Sequence, residues 1–300
     1  MARHHLVQYS RGIAMGAADL VPGVSGGTVA LVAGIYHRLI DNVRTGSLAL
    51  VAMVRLDVAA GRRHLVALEW GFLLPLAAGI VTAIIVLSHS LESLLEEQPV
   101  PMAGLFFGLV VGSIVLASRL VSAWDGRHLV IGAAAAAVTF AVLGLQQGSV
   151  EDPALWFVFG AGAIAICAMI LPGISGSFLL LMMGMYDLVL AAVTDVDLVI
   201  LVTFSLGCVV GLAVFSQVLH WGLEHHEQTV LAGLVGLMVG SLRVLWPWPD
   251  GVAGNELTGP QGDVLAPMAL AAVGFGAVLW FSAFATRHAA AEPSGAETST

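Results

Sequence analysis

Charge is what this sequence has least of. Only 10% of its 300 residues are Asp, Glu, Lys or Arg, against 58% hydrophobic, and mean hydropathy is +0.94. Soluble domains carry about 25% charged residues, so a water-facing surface for a chain of this size is excluded. A disordered chain is excluded too, because it needs the opposite composition. Lysine is absent, and all eleven cationic residues are arginine. A formal charge of -9 offers nothing to nucleic acid. Cysteine is scarce: Cys167 and Cys208 both sit in apolar runs and read as small buried hydrophobes without metal spacing. HExxH, CxxC, GxSxG and phosphate-loop lysine motifs are all missing. His4-His5 and His225-His226 are weak as metal sites. No enzyme activity, cofactor or metal is therefore expected. Nor is a cleavable signal, since the short polar start is followed by Asp19 and a Pro-Gly break.

The reading that survives is an all-α polytopic membrane protein. Six stretches have the length and apolarity of full spans: 70–87, 102–120, 128–145, 198–219, 229–246 and 265–285. At 1.5 Å per residue each covers about 27 to 33 Å, the thickness of a hydrocarbon core. Two further apolar stretches, 12–41 and 156–190, are interrupted by Pro-Gly-x-Ser-Gly. Proline removes a donor and clashes with the preceding turn, and glycines weaken the helix further. Each stretch reads as a re-entrant hairpin of two half-helices. Broken backbone of this kind is tolerated in a membrane only where protein or a polar cavity satisfies it. The segment 46–64 reads either as an interfacial helix or as an ordinary loop, and 287–300 as a disordered tail.

The two broken stretches match each other at an offset of 150. Pro22-Gly23-Val24-Ser25-Gly26-Gly27 answers Pro172-Gly173-Ile174-Ser175-Gly176-Ser177, and Gly34 and Tyr36 answer Gly184 and Tyr186. A second match, at an offset of 128, sets 108–113 against 236–241. The chain thus divides into two repeats, 1–145 and 154–286, each a hairpin plus three spans. Three is odd, so the second repeat should be inverted. Arginine agrees: Arg3, Arg11, Arg38, Arg44, Arg55, Arg62 and Arg63 precede Trp70, Arg119 and Arg127 bound the loop after the second span, and Arg287 follows the last span. The positive-inside rule places all of these, and both termini, in the cytoplasm. The alternate loops are acidic or neutral. Inverted repeats with broken helices near the midplane are an architecture of secondary transporters.

The tips are where the chemistry should lie. Ser25, Gly26, Gly27 and Thr28, and Ser175, Gly176 and Ser177, begin the second half-helices. Their free N–H groups and hydroxyls could receive an anion, or the serines could simply cap the helices. Pro22 and Pro172 set the breaks. Asp19, a carboxylate inside an apolar stretch, is a functional hypothesis by default and could carry a coupling proton or orient a cation. Its counterpart is Met169. Glu69 at a membrane edge is a weaker coupling or gating candidate. Arg243, and Arg119 at the end of the second span, could hold phosphate through their planar forks or snorkel toward headgroups. Spans rich in small residues leave a homo-oligomer open.

The run Gly16-Ala17-Ala18-Asp19-Leu20-Val21-Pro22-Gly23-Val24-Ser25-Gly26-Gly27-Thr28, with Gly34-Ile35-Tyr36, resembles the signature of the polyprenyl-phosphate transporter family (PopT type). The second copy, Leu171 to Ser177 with Gly184-Met185-Tyr186, is similar to that family's second signature. The resemblance covers about residues 10 to 285. It implies a plasma-membrane protein that moves undecaprenyl phosphate from the outer to the inner leaflet, recycling the carrier of envelope synthesis. An ion-coupled transporter of a small organic anion, or a non-transporting scaffold for envelope synthesis, are the alternatives the residues alone leave standing.

Overall fold

The computed structural model describes residues 2–20, 25–145, 153–252 and 257–290, and among them all regular structure is helical. Pro22, Gly23 and Val24, the acids Glu151, Asp152 and Glu256, and the expected tail beyond 290 lie outside the described residues. In chain order the helices are α1 Ala2–Asp19, α2 Gly26–Val32, α3 Tyr36–Val54, α4 Val58–Ala67, α5 Trp70–Glu97 and α6 Pro99–Ser118. They continue as α7 Gly126–Val142, α8 Leu155–Ile170, α9 Gly176–Met182, α10 Tyr186–Thr194, α11 Leu198–Ser241 and α12 Leu265–Ala290. Among the described residues, three helices are long and apolar enough to cross a bilayer: α5 over Trp70–Leu87, α6, and α11. The bent pair α9–α10 makes a fourth if it is one span. The protein is an all-α, multi-pass membrane protein.

The expected spans 198–219 and 229–246 lie largely on one helix, α11. Straight, its 44 residues would be about 66 Å long, twice a bilayer core. It is not straight. His226 leaves helical geometry (φ -140°, ψ 41°), and a methyl on Gly222 would lie 3.1 Å from Val230 Cγ2. Those residues would be about 12 Å apart on an unbroken helix. α11 is therefore two limbs folded back on each other. Neighbours hold the corner: His37 Nε2 is 3.3 Å from Glu227 Oε1, and Ser122 N–H donates to Gln228 Oε1 at 2.6 Å.

Each broken stretch contains three helices, where two arms are expected. The piece after the Pro-Gly break has only seven residues (α2, α9). It ends at a second break, Gly34 (φ +68°) or Gly184 (φ +66°), a conformation that favours glycine. α9 and α10 meet there at 108°. The outer arms also differ from expectation. α1 begins at Ala2, and α3 runs past residue 41 to Val54. The 46–64 segment is helical, turning at Leu56 into α4, whose N-cap Asp57 accepts from Ala60 N–H at 2.9 Å.

Glycine faces join the long helices in four parallel pairs. Cβ atoms on Gly12 and Gly16 would run into the backbone of Leu76 and Ile80, so α1 and α5 advance together. Gly207 and Gly211 meet Phe159 and Ala163 in the same way, pairing the first limb of α11 with α8. Gly104 and Gly108 meet Pro267 and Ala271, pairing α6 with α12. Gly236 and Gly240 meet Gly132 and Ala136, pairing the second limb of α11 with α7. Such backbone-to-backbone approach is how membrane helices gain van der Waals contact when lipid is as apolar as they are. Pro75 inside α5 leaves the Gly71 carbonyl without its helical donor, and His5 Nδ1 of α1 lies 3.1 Å from that oxygen.

Candidate functional site: two interlocked tips and an arginine beside them

The tips touch each other. Ser25, the N-cap of α2, accepts from Gly27 N–H at 3.1 Å and donates to Met169 O at 3.3 Å. Thr28 Oγ1 accepts from Gly173 N–H at 2.9 Å. Tyr36 OH donates to Ile170 O at 3.1 Å. The last carbonyls of α8, which have no intrahelical partner, are thus satisfied by hydroxyls 134 to 144 residues earlier. Ser25, Thr28, Tyr36 and Pro172 are all buried. Gly27 is needed for the crossing, since a Cβ there would lie 2.7 Å from Ile170 O. Gly173 (φ +86°) sits equally close on Met238 of α11.

The donors expected to face a ligand at the first tip are engaged within the chain. Asp19 Oδ1 accepts from Gly26 N–H at 2.6 Å. The carboxylate occupies the position an anion would take at the start of α2. The second tip differs in the way the repeat alignment implies. A methyl on Gly26 would lie 2.7 Å from Asp19 Oδ2, and one on Gly176 would lie 2.6 Å from Met169 Cγ. A thioether stands where the first tip has a carboxylate. Ser175 caps α9, with Phe178 N–H at 3.5 Å, and its Oγ is 2.9 Å from Ser177 Oγ. From their capping serines onward the two tips are alike in backbone, and they are unlike in charge.

The remaining candidates spread along the protein. Glu69, the N-cap of α5, accepts from Arg38 Nε at 2.9 Å and Asn42 Nδ2 at 3.2 Å, while its own N–H donates to Asn42 Oδ1 at 2.9 Å. Arg38 Cζ also lies 4.3 Å over the Phe72 ring. This clamp ties α3 to α5 at a partly exposed edge (36% and 46% side-chain exposure). Glu69→Ala should therefore lower stability by only about 1 kcal/mol. A melting temperature equal to wild type in detergent would show that the clamp contributes nothing.

Arg119 caps α6 in the open, at the end where Ser122 meets Gln228. Arg243 lies just past the opposite end of the second limb of α11 and is half-buried. Its Cζ sits 4.6 Å over the Phe140 ring, and a methyl on Gly144 would lie 2.6 Å from the guanidinium. Among the described residues no carboxylate pairs with it. Met238, against the second tip, precedes Arg243 by five residues, a rise of about 7.5 Å. Leu245, two residues beyond, belongs to the cluster that Ala18 of the first tip packs against. The stretch from Met238 at the end of α11 to Leu245 in the turn after it therefore lies between the two tips and carries the arginine.

Sequence reading overlooked Tyr36 and the stacking partners of Arg243. Tyr36 carried a signal, its match to Tyr186. Phe140 and Gly144 carried none. Among the described residues no group of three His, Cys, Asp or Glu is placed to hold a metal ion.

Comparison with known proteins bears on this geometry. The family described as VCA0040-like, undecaprenyl phosphate translocase-like, matches residues 15–259. A polyprenyl-phosphate transporter of Vibrio cholerae serotype O1 is 42% identical over 248 residues, covering 82% of this chain and 79% of the relative. A polyprenyl-phosphate transporter of Staphylococcus aureus is 30% identical over 264 residues, covering 82% of this chain and 88% of the relative. No solved structure matches. The tips and Arg243 lie inside the matched region, and the chain belongs to the undecaprenyl phosphate translocase-like family.

Proposed function

We propose that the chain moves polyprenyl phosphate across the plasma membrane, from outer to inner leaflet, by exchanging access between two inverted repeats that meet at the tips. The interlock carries this reading: Ser25, Thr28 and Tyr36 of one broken segment satisfy Met169, Gly173 and Ile170 of the other. Such hydrogen bonds can be made, broken and remade as two rigid halves rock. Both relatives bear the name polyprenyl-phosphate transporter. The lipid has an anionic head and an apolar tail, so only the head needs a polar route.

Repeated contacts support the two-repeat reading. Gly12 against Leu76 is matched by Gly162 against Phe204, and Gly79 against Tyr9 by Gly207 against Phe159. The offsets are 150 for one partner and 128 for the other, those found in the sequence. Helix direction supports the inversion. Leu91 and Leu95 of α5 join Met102 and Phe106 of α6 in one cluster, so α6 folds back along α5. α6 runs against the second limb of α11, meeting it at Phe107–Trp246 and at Ser122–Gln228. That limb is therefore directed like α5 and α1. The first limb opposes it, and α8 follows the first limb, so α8 runs opposite to α1. With the arginine-rich loops inside, both termini are cytoplasmic.

In this reading Ser175, Gly176 and Ser177 receive the phosphate at the second tip. Ser25, Gly26, Gly27 and Thr28 receive it once Asp19 is displaced or protonated. Arg243 and Arg119 attract the head at the outer and inner ends, Glu69 steadies the gate formed by α3, and Pro22 and Pro172 hold the breaks. A proton or cation on Asp19 supplies coupling. Purified protein in liposomes should accelerate leaflet exchange of undecaprenyl phosphate, and folded wild-type protein without exchange would end the proposal. Ser25→Ala removes a cap worth about 1 kcal/mol and should slow exchange about fivefold. Uptake of a labelled soluble anion without lipid movement would favour the alternative transporter.

A further inference from the structure

A cleft of about 390 Å³ opens beside the end of α11. Phe107 of α6, Phe140 of α7, Arg243 and Trp246 line it, with Leu257 and Thr258 from the following segment. Its volume lies in the lower part of the range for small-molecule sites. Among the described residues, Arg243 is the one charged side chain in its wall. The guanidinium is held by its face, over Phe140 and against Gly144, with no carboxylate in ion-pair range among the described residues. Held this way, it keeps its N–H edges for a planar, two-toothed contact, the geometry that suits phosphate oxygens. A second donor is close by: the buried indole N–H of Trp248, whose ring meets that of Trp246 at 5.5 Å, has no partner among the described residues.

We propose that this cleft is a loading station for the phosphate end of a polyprenyl phosphate, taken from the lipid before the head reaches the tips. The inference rests on the transport reading above. The phosphomonoester sits at Arg243, and the first isoprene units lie against Phe107, Phe140 and Trp246. One guanidinium offsets only part of a phosphomonoester's charge of about -1.5 to -2, so a diphosphate brings still more charge that the described wall does not answer. The station is mechanically joined to the second tip. Leu143 and Val244, the neighbours of Gly144 and Arg243, pack with Phe178 and Met182 of α9, the helix that Ser175 caps. Filling the cleft therefore presses on the half-helix that must move.

The test uses full-length protein in nanodiscs and liposomes. Wild type should bind undecaprenyl phosphate at least tenfold more tightly than undecaprenyl diphosphate or a saturated phosphatidic acid. Arg243→Gln should lose tenfold or more in binding, and Arg243→Lys should recover only part. Phe140→Ala should narrow the gap between undecaprenyl phosphate and phosphatidic acid. A photoreactive prenyl phosphate on unmodified wild type should label Phe107, Phe140 or Trp246, which needs no variant to fold. Labelling elsewhere, wild-type affinity in both Arg243→Gln and Phe140→Ala, or competition by inorganic phosphate as strong as by the lipid would overturn the loading station. If wild type still exchanges undecaprenyl phosphate in those cases, the transport reading survives. If wild type neither binds nor exchanges the lipid, both fall.

Discussion

Asp19→Asn is expected to leave the protein folded and to cut leaflet exchange of undecaprenyl phosphate at least tenfold. The carboxylate accepts from Gly26 N–H at 2.6 Å at the start of α2. Asparagine keeps an acceptor of the same reach, so the cap persists and only the charge is lost. Charge-assisted hydrogen bonds are roughly twice as strong as neutral ones. A difference of 1 to 2 kcal/mol is a factor of about 5 to 30. If the working event is exchange of a protein carboxylate for a substrate phosphate, or a proton carried across, the neutral side chain cannot perform it. Asp19→Ala should do worse, because it also orphans a donor in apolar surroundings at about 1 to 3 kcal/mol. The mirror experiment is Met169→Asp, which sets a carboxylate at the second tip and should compete with phosphate there. Exchange at the wild-type rate by Asp19→Asn would remove the charge from the mechanism.

The second large effect is structural. Gly79→Leu and Gly207→Leu should each abolish accumulation of folded, monodisperse protein. At both positions the first carbon of any side chain collides with a backbone carbonyl, that of Tyr9 or of Phe159. Backbone cannot turn aside as a flexible side chain can, so the helices must part and lose contact along their length. Overpacking by even a methylene costs about 1 to 3 kcal/mol, and leucine adds far more. Alanine at either site should give a folded but less stable protein. Gly160, in α8 near the same interface, has nothing within 4 Å of an added Cβ. Gly160→Leu should therefore behave as wild type in size-exclusion and thermal melts. Equal damage at all three positions would mean that general helix propensity, not contact, governs these glycines.

Several of these features could be read from the residues alone. Apolar length placed the long helices, and Pro-Gly placed the first break of each broken segment. The offsets of 150 and 128 reappear as paired contacts, down to Met169 standing where Asp19 stands. Other features were hidden for physical reasons. Gly34 and Gly184 look like packing glycines, because a positive φ leaves no trace in composition. The corner at His226 falls in the stretch expected between the spans 198–219 and 229–246, although no proline marks it. α7 and α12 occupy matching places against Gly236 and Gly108, yet their sequences diverge. A glycine face asks its partner only for backbone, which any small residue supplies. Arg243 was visible as an oddity, but Phe140 lies 103 residues away, and no periodicity connects them.

The crossed pairing of α6 with α12 and of α7 with α11 bears on how the protein is made. When α6 and α7 emerge during synthesis, the glycine faces of α6 and the matching face of α7 have no partner. The chain must hold them in lipid, flanks exposed, for roughly another hundred residues or more. α1 and α5 can pair within the first half, but α6 and α7 cannot reach their final packing until the second half arrives. α12, made well over a hundred residues after α6, then completes it, and this step of insertion is a closure rather than an addition.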